Sequence, residues 1–104
     1  MYSEFQIGNY VSFENEYYKI TNIQKYNDKV YYQIEGLEND KKIELKCYAP
    51  TPICLDKYVD NIMNQLYGYE VLATYINNVC WLYYIHELQN AYKKQYNKEL
   101  NIIL

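Results

Sequence analysis

The first half of the chain alternates apolar and polar positions in short runs, and this pattern predicts strands. Asn9 to Phe13 is one such run. A turn at Glu14-Asn15 leads into Glu16–Tyr26, which is rich in Tyr, Ile and Thr. Asn27-Asp28 supplies a turn tolerant of left-handed backbone. Lys29–Gly36 then places Val30, Tyr32 and Ile34 on one face. After a connection over Gly36–Asp40, Lys41–Tyr48 places Ile43, Leu45 and Cys47 on one face and Lys42, Glu44 and Lys46 on the other. Strict alternation means one buried and one wet face, the pattern of an antiparallel sheet. Four such strands joined by tight turns predict a meander, either an SH3-like half-barrel or a curled sheet.

Pro50 and Pro52 break this pattern, because each lacks an amide donor. Beyond them the period lengthens. Asp56 is placed to cap a helix whose apolar stripe is Leu55, Val59, Ile62, Met63 and Leu66, with Gly68 as its C-terminal glycine. Tyr69–Tyr75 reads as extended or ambiguous, and Asn77-Asn78 as a turn that lets Val79–Leu82 complete a hairpin. A second helix is predicted from near Tyr83 to about Tyr96, with Trp81, Ile85, Leu88, Tyr92 and Gln95 or Tyr96 as its stripe. Asn97 suits a left-handed end, and the apolar tail Leu100–Leu104 reads as a short strand. The expectation is an α+β fold in a single domain, residues 1–104. Residues 1–49 form an antiparallel meander sheet. Residues 50–104 form a helix, a short hairpin, a second helix and a C-terminal strand, and the two helices pack on the sheet.

Composition narrows the function. The chain has 104 residues, half of them hydrophobic by type, yet a mean hydropathy of only −0.51, because 16 of them are tyrosines with polar tips. No apolar run approaches the roughly 20 residues needed to cross a bilayer, so no membrane role is expected. Met1-Tyr2-Ser3-Glu4 has no basic or apolar leader character, which points to the cytoplasm. The net charge is −3, and all ten basic residues are lysines. Arginine is the preferred reader of guanine edges and phosphate forks, so its absence argues against nucleic acid as the partner. The abundance of Lys, Asn, Ile and Tyr matches AT-rich codons, which softens that argument.

Candidate chemistry is sparse. Cys47, Cys54 and Cys80 have no metal-like spacing, so neither a metal site nor a cofactor is expected. No P-loop, dinucleotide-binding, HExxH or GxSxG pattern occurs, and a Cys-His pair of His86 with Cys80 or Cys54 has no orienting motif beside it. Glu14 and Glu16 flank a turn, and Asp56 and Asp60 suit a helix N-terminus. Two binding surfaces stand out instead. His86, Gln89, Asn90 and Lys93 share one polar face of the second helix. They form a hydrogen-bonding recognition surface, or an ordinary solvated face, or His86 is a structural histidine tied to a neighbouring loop. Tyr17, Tyr31 and Tyr48 are placed to line the outer face of the sheet, where rings can stack on bases or anchor a protein.

Three stretches carry a resemblance. Phe5-Gln6-Ile7-Gly8-Asn9-Tyr10-Val11 opens the chain, and Pro50-Thr51-Pro52-Ile53-Cys54-Leu55 precedes the first helix. Tyr84-Ile85-His86-Glu87-Leu88-Gln89-Asn90-Ala91-Tyr92, followed by Glu99-Leu100, closes it. In this order they resemble a group of small proteins encoded by phages and prophages of Bacteroidetes. The chain departs from the group at Gln6, where arginine is usual, in its proline motif, and at Asn97, where glycine usually ends the helix. The resemblance implies a phage accessory protein acting in the host cytoplasm, and it draws attention to the His86-Gln89-Asn90 face. The combined expectation is a non-enzymatic protein that binds a host or phage protein, with interference in host defence or replication as the specific version. A single-stranded nucleic-acid binder and a minor virion component are the alternatives. The tail Ile102–Leu104 packs on its own sheet or pairs with a second copy to give a homo-oligomer.

Overall fold

The structure is a computed structural model that describes residues 4–46, 48–65, 68–78 and 82–104. The chain divides into two compact units, a sheet unit ending at Ile53 and a helical unit beginning at Cys54.

The sheet unit holds β1 (Tyr10–Phe13), β2 (Glu16–Tyr26), β3 (Lys29–Gly36), β4 (Lys42–Leu45) and β5 (Thr51–Pro52). All pairings are antiparallel and the order is β4-β3-β2-β1-β5. The sheet is open, with no pairing between β4 and β5 among the described residues. Two hairpins follow from two-residue turns. Glu14 and Asn15 both have positive φ, as do Asn27 and Asp28, which is the geometry whose twist matches that of the flanking strands. A β-branched residue at φ 65° is strained, so Asp28→Val is expected to lower stability by about 1–2 kcal/mol. Asp28→Gly should leave stability unchanged or raise it; urea denaturation of both variants checks the pair.

Phe5, Val11, Tyr18, Ile20, Ile34 and Leu45 form the core of this unit, and Phe13, Ile23, Tyr32 and Ile43 pack against it. A bulge between Ile20 and Asn22 inserts Thr21 as an extra residue. Tyr18 and Ile20 face the core before it, whereas Ile23 and Lys25 take that face after it, opposite Tyr32 and Val30. The Gly8-Asn9 stretch has a structural task. Gly8 takes φ 96°, its amide donates to the Ile20 carbonyl, and the Asn9 carbonyl accepts from the Ile20 amide. The buried Asn9 side chain accepts from the Gln6 amide at 2.8 Å.

The helical unit holds α1 (Val59–Met63), α2 (Gly68–Asn78) and α3 (Ile85–Tyr96). Three expectations are corrected here. Gly68 does not end the first helix: α1 stops at Asn64, and Gly68 opens α2. The extended reading of Tyr69–Tyr75 and the hairpin built on it are replaced by α2. Val71, Thr74 and Ile76 have β propensity, but Val71 and Thr74 are buried at helical spacing, and packing outweighs propensity. Thr74 Oγ1 and Asn78 Nδ2 also donate to carbonyls four residues back. The tail makes no strand. Leu100 and Ile102 are buried, and the Gln65 carboxamide instead receives the Ile103 amide at 2.8 Å and donates to its carbonyl at 2.7 Å, joined by Asn61 at 3.1 Å. One side chain thus satisfies both backbone groups that a strand would have paired. Leu66 and residues 79–81, which include Cys80 and Trp81, lie outside the described residues, as does Cys47.

Each unit contains a Tyr–Glu–Lys cluster. In the sheet unit Tyr18 Oη and Lys41 Nζ both donate to Glu16. In the helical unit Tyr92 Oη and Lys98 Nζ donate to Glu70, tying α2 to α3. The tyrosine hydrogen bond first, and the lysine after it, hold both carboxyl groups below their ordinary range. Burial first, then the glutamate, pushes both tyrosine hydroxyls up. A depressed carboxyl contributes stability above its unfolded pKa, and this is lost as pH falls through the folded one. A raised tyrosine contributes below its unfolded pKa, and this is lost as pH rises through the folded one. Thermal melts should therefore decline below about pH 4.5 and above about pH 10. Glu70→Gln should flatten the acid limb; an unchanged acid limb would show that Glu70 is not tied down in solution.

Candidate functional site

Two of the four polar residues singled out on α3 are enclosed. His86 is 0% exposed and Gln89 2%, whereas Asn90 is half-buried and Lys93 is exposed and paired with Glu99 at 2.8 Å. The reason lies at the start of the helix. Tyr84 sits in extended backbone bridged to Cys54, and the Leu55 amide donates to the Tyr83 carbonyl at 3.0 Å. The His86 ring stacks on Tyr84 with centroids 5.9 Å apart. Glu87 Oε1 accepts from the Tyr83 and Tyr84 amides, satisfying donors that a helix start leaves open. Tyr84 and Glu87 thus build the start of α3, and His86 and Gln89 are buried along its first two turns. Cys54 is exposed while His86 is enclosed, so this thiol and imidazole occupy different environments.

The tyrosine platform is also rearranged. Tyr17 stands opposite Ser12, and Tyr31 opposite Gln24, so both lie on the outer face as expected. They are half-buried, and the register places them about 20 Å apart along the strands. Tyr48 does not join them. It follows β4 and stacks on Phe13, with centroids 6.0 Å apart and ring planes at 18°, which puts it on the core side of the sheet.

On that side Tyr48 helps to form a concavity of about 510 Å³ lined by Asp28, Lys29, Val30, Tyr32, Lys46, Tyr48 and Ala49. Its construction follows from strand lengths. The pairing of β3 with β4 ends at Tyr32↔Leu45, whereas β3 continues back to Lys29, so the end of the β2–β3 hairpin projects past β4. Val30 and Tyr32 belong to the core face there but are only half covered. Both ring walls are braced from behind, Tyr48 by Phe13 and Tyr32 by an edge-on contact with Phe5 at 6.0 Å. Tyr48 still keeps 57% of its surface exposed. Rings held in this way lose little conformational freedom on binding.

The charges of the sheet unit are polarised. Lys25 pairs across from Val30, and Lys29 and Lys46 line the concavity, against the single carboxylate of Asp28. The opposite end carries Glu14, Glu16, Glu35, Glu38 and Asp40 against Lys19, Lys41 and Lys42, with Lys41 engaged by Glu16. A smaller concavity of about 300 Å³ is lined by Thr21, Gln33, Ile34, Lys42, Ile43 and Glu44, with no aromatic wall among the described residues. In the helical unit, Tyr69, Leu72 and Ile76 give α2 an exposed apolar stripe. Among the described residues no group of three or more His, Cys, Asp or Glu side chains is arranged to hold a metal ion. Among the described residues no helix is long and apolar enough to cross a membrane.

Of the residues singled out from sequence, only Tyr48 lines the larger concavity. Lys29, Val30, Tyr32 and Lys46 were not singled out as site residues. The clustering of lysines around Asn27-Asp28 and before Tyr48 was the available signal, but only the strand register shows that these stretches meet. No protein-family model, curated protein or solved structure matches the chain.

Proposed function

We propose that this chain is a non-enzymatic binding module that grips a protein partner through the concavity at the β2–β3 hairpin end. The carrying observation is the pair of braced, outward-open tyrosine walls flanked by lysines. Aromatic anchors in preformed recesses supply most of the binding energy at protein interfaces. We read the open five-strand sheet as an SH3-like half-barrel that holds these walls. With the resemblance to phage-encoded proteins, the proposed partner is a host protein in the host cytoplasm, and the proposed outcome is interference with its work. Single-stranded nucleic acid fits less well, because Tyr17 and Tyr31 are far apart and Tyr48 lies on the other face, so no continuous stacking platform supports it.

The test is a photo-crosslinking residue placed at Tyr48, compared with one at Lys42 on the outer face, in host lysate. A protein captured from position 48 alone is then purified and titrated against the chain. Lys29→Glu should weaken that binding about tenfold. Unchanged affinity would remove the concavity from the interface.

A further inference from the structure

We infer that β4 is a self-pairing edge, where two copies of the chain join their sheets antiparallel about a two-fold axis at Ile43. The inference goes beyond the binding-module reading and uses residues that do not line the larger concavity. Three observations meet on β4.

The first is where its backbone groups point. The Gly36 amide donates to the Lys41 carbonyl at 2.9 Å, and the register continues through Ile34↔Ile43 and Tyr32↔Leu45. Lys41, Ile43 and Leu45 therefore turn their amides and carbonyls to β3, while Lys42 and Glu44 turn theirs away from it. Strand β4 ends the strand order, and among the described residues no strand pairs with its outward side. The side chains of Lys42 and Glu44 are exposed. An edge of this kind is a template for another strand.

The second is the charge pattern. Lysines alone would keep such an edge unpaired. Here Lys42 and Glu44, two residues apart on one face, are opposite in sign, and neither has an ion-pair partner within the chain among the described residues. Their neighbours across on β3 are Glu35 and Gln33. A second copy centred on Ile43 sets Lys42 against Glu44 of the second copy and, by symmetry, Glu44 against its Lys42. These are also the residues whose backbone groups point outward, so each opposing pair exchanges two N–H···O bonds as well. Other registers fail. Centring on Lys42 or on Glu44 sets a charge against its own copy, and centring on Lys41 or Leu45 needs pairs beyond the ends of β4.

The third is Ile43. It packs against the core of the sheet unit yet is only half-buried. On the axis it meets Ile43 of the second copy as a close, non-hydrogen-bonded pair, and each side chain covers the other.

The interface is small, so the dimer is expected to be weak, with a dissociation constant on the order of 100 µM. Sedimentation equilibrium of the whole chain at up to about 1 mM measures it, and added salt should weaken it. Lys42→Glu and Glu44→Lys should each leave a monomer over this range, because the two-fold axis turns one reversal into two like-charge pairs. Mixing these two variants should restore a dimer about as tight as that of the unmodified chain, since every opposing pair is then opposite in sign. Thermal melts of both variants should be unchanged, because both side chains are exposed. Hydrogen exchange at the Lys42 and Glu44 amides should slow as concentration rises, because these are the donors that gain acceptors. A chain that stays monomeric up to about 1 mM would overturn the inference. So would a dimer that survives both reversals, a mixture of the two variants that stays monomeric, or a dimer whose Lys42 and Glu44 amides exchange as fast as in the monomer. None of these outcomes touches the binding module, which the crosslinking test above judges separately.

Discussion

Replacing His86 with alanine is expected to destabilise the fold by about 2–4 kcal/mol, whereas Lys93→Ala on the same helix should change stability by less than about 0.5 kcal/mol. His86 is fully enclosed and stacked on Tyr84, so truncation leaves a cavity at the start of α3 and removes a ring contact. Tyr84 in turn bridges to Cys54, so the loosening should spread to the segment that enters the helical unit. A domain of this kind has about 5–15 kcal/mol of total stability, so the variant should melt markedly earlier. Urea denaturation followed by circular dichroism measures the difference. A near-neutral His86→Ala that lost partner binding would return the histidine to a recognition role.

Replacing Tyr48 with alanine should have the opposite profile. More than half of the ring is exposed, so the expected loss of stability is about 1 kcal/mol, from the lost stack on Phe13. The expected loss of partner affinity is at least about 2 kcal/mol, or roughly thirtyfold, because the ring is one of two anchoring walls. Tyr17→Ala and Tyr31→Ala, on the outer face, should each change affinity by less than about threefold. Calorimetric titration of the three variants against the purified partner separates them. Comparable losses in all three would place the interface elsewhere.

The strands were largely legible because each carries its own signal. Lys29–Gly36 alternates without interruption, and Asn27-Asp28 is a turn by chemistry alone. The helix ending at Asn97 was legible for the same reason, since its left-handed backbone suits asparagine. The failures share a cause: each depended on contacts distant in sequence. Tyr69–Tyr75 looks extended by propensity and becomes helical because Val71 and Thr74 find a buried side. The tail looks like a strand and is instead held by Gln65, 38 residues away. His86 and Gln89 look solvated on a helical wheel because both are polar, yet both are buried while Lys93 on the same side is exposed. The concavity was the least legible feature. It exists because β3 outruns β4 and because Tyr48 returns to stack on Phe13, and neither fact belongs to any single stretch of residues.

The most direct measurement is a map of backbone amide chemical shifts on adding the purified partner. If the hairpin end is the interface, the largest shifts fall on Lys29, Val30, Tyr32, Lys46 and Tyr48, and the amides of α3 from His86 to Lys93 stay in place. Shifts centred on α3, or on the outer face around Tyr17 and Tyr31, would contradict it.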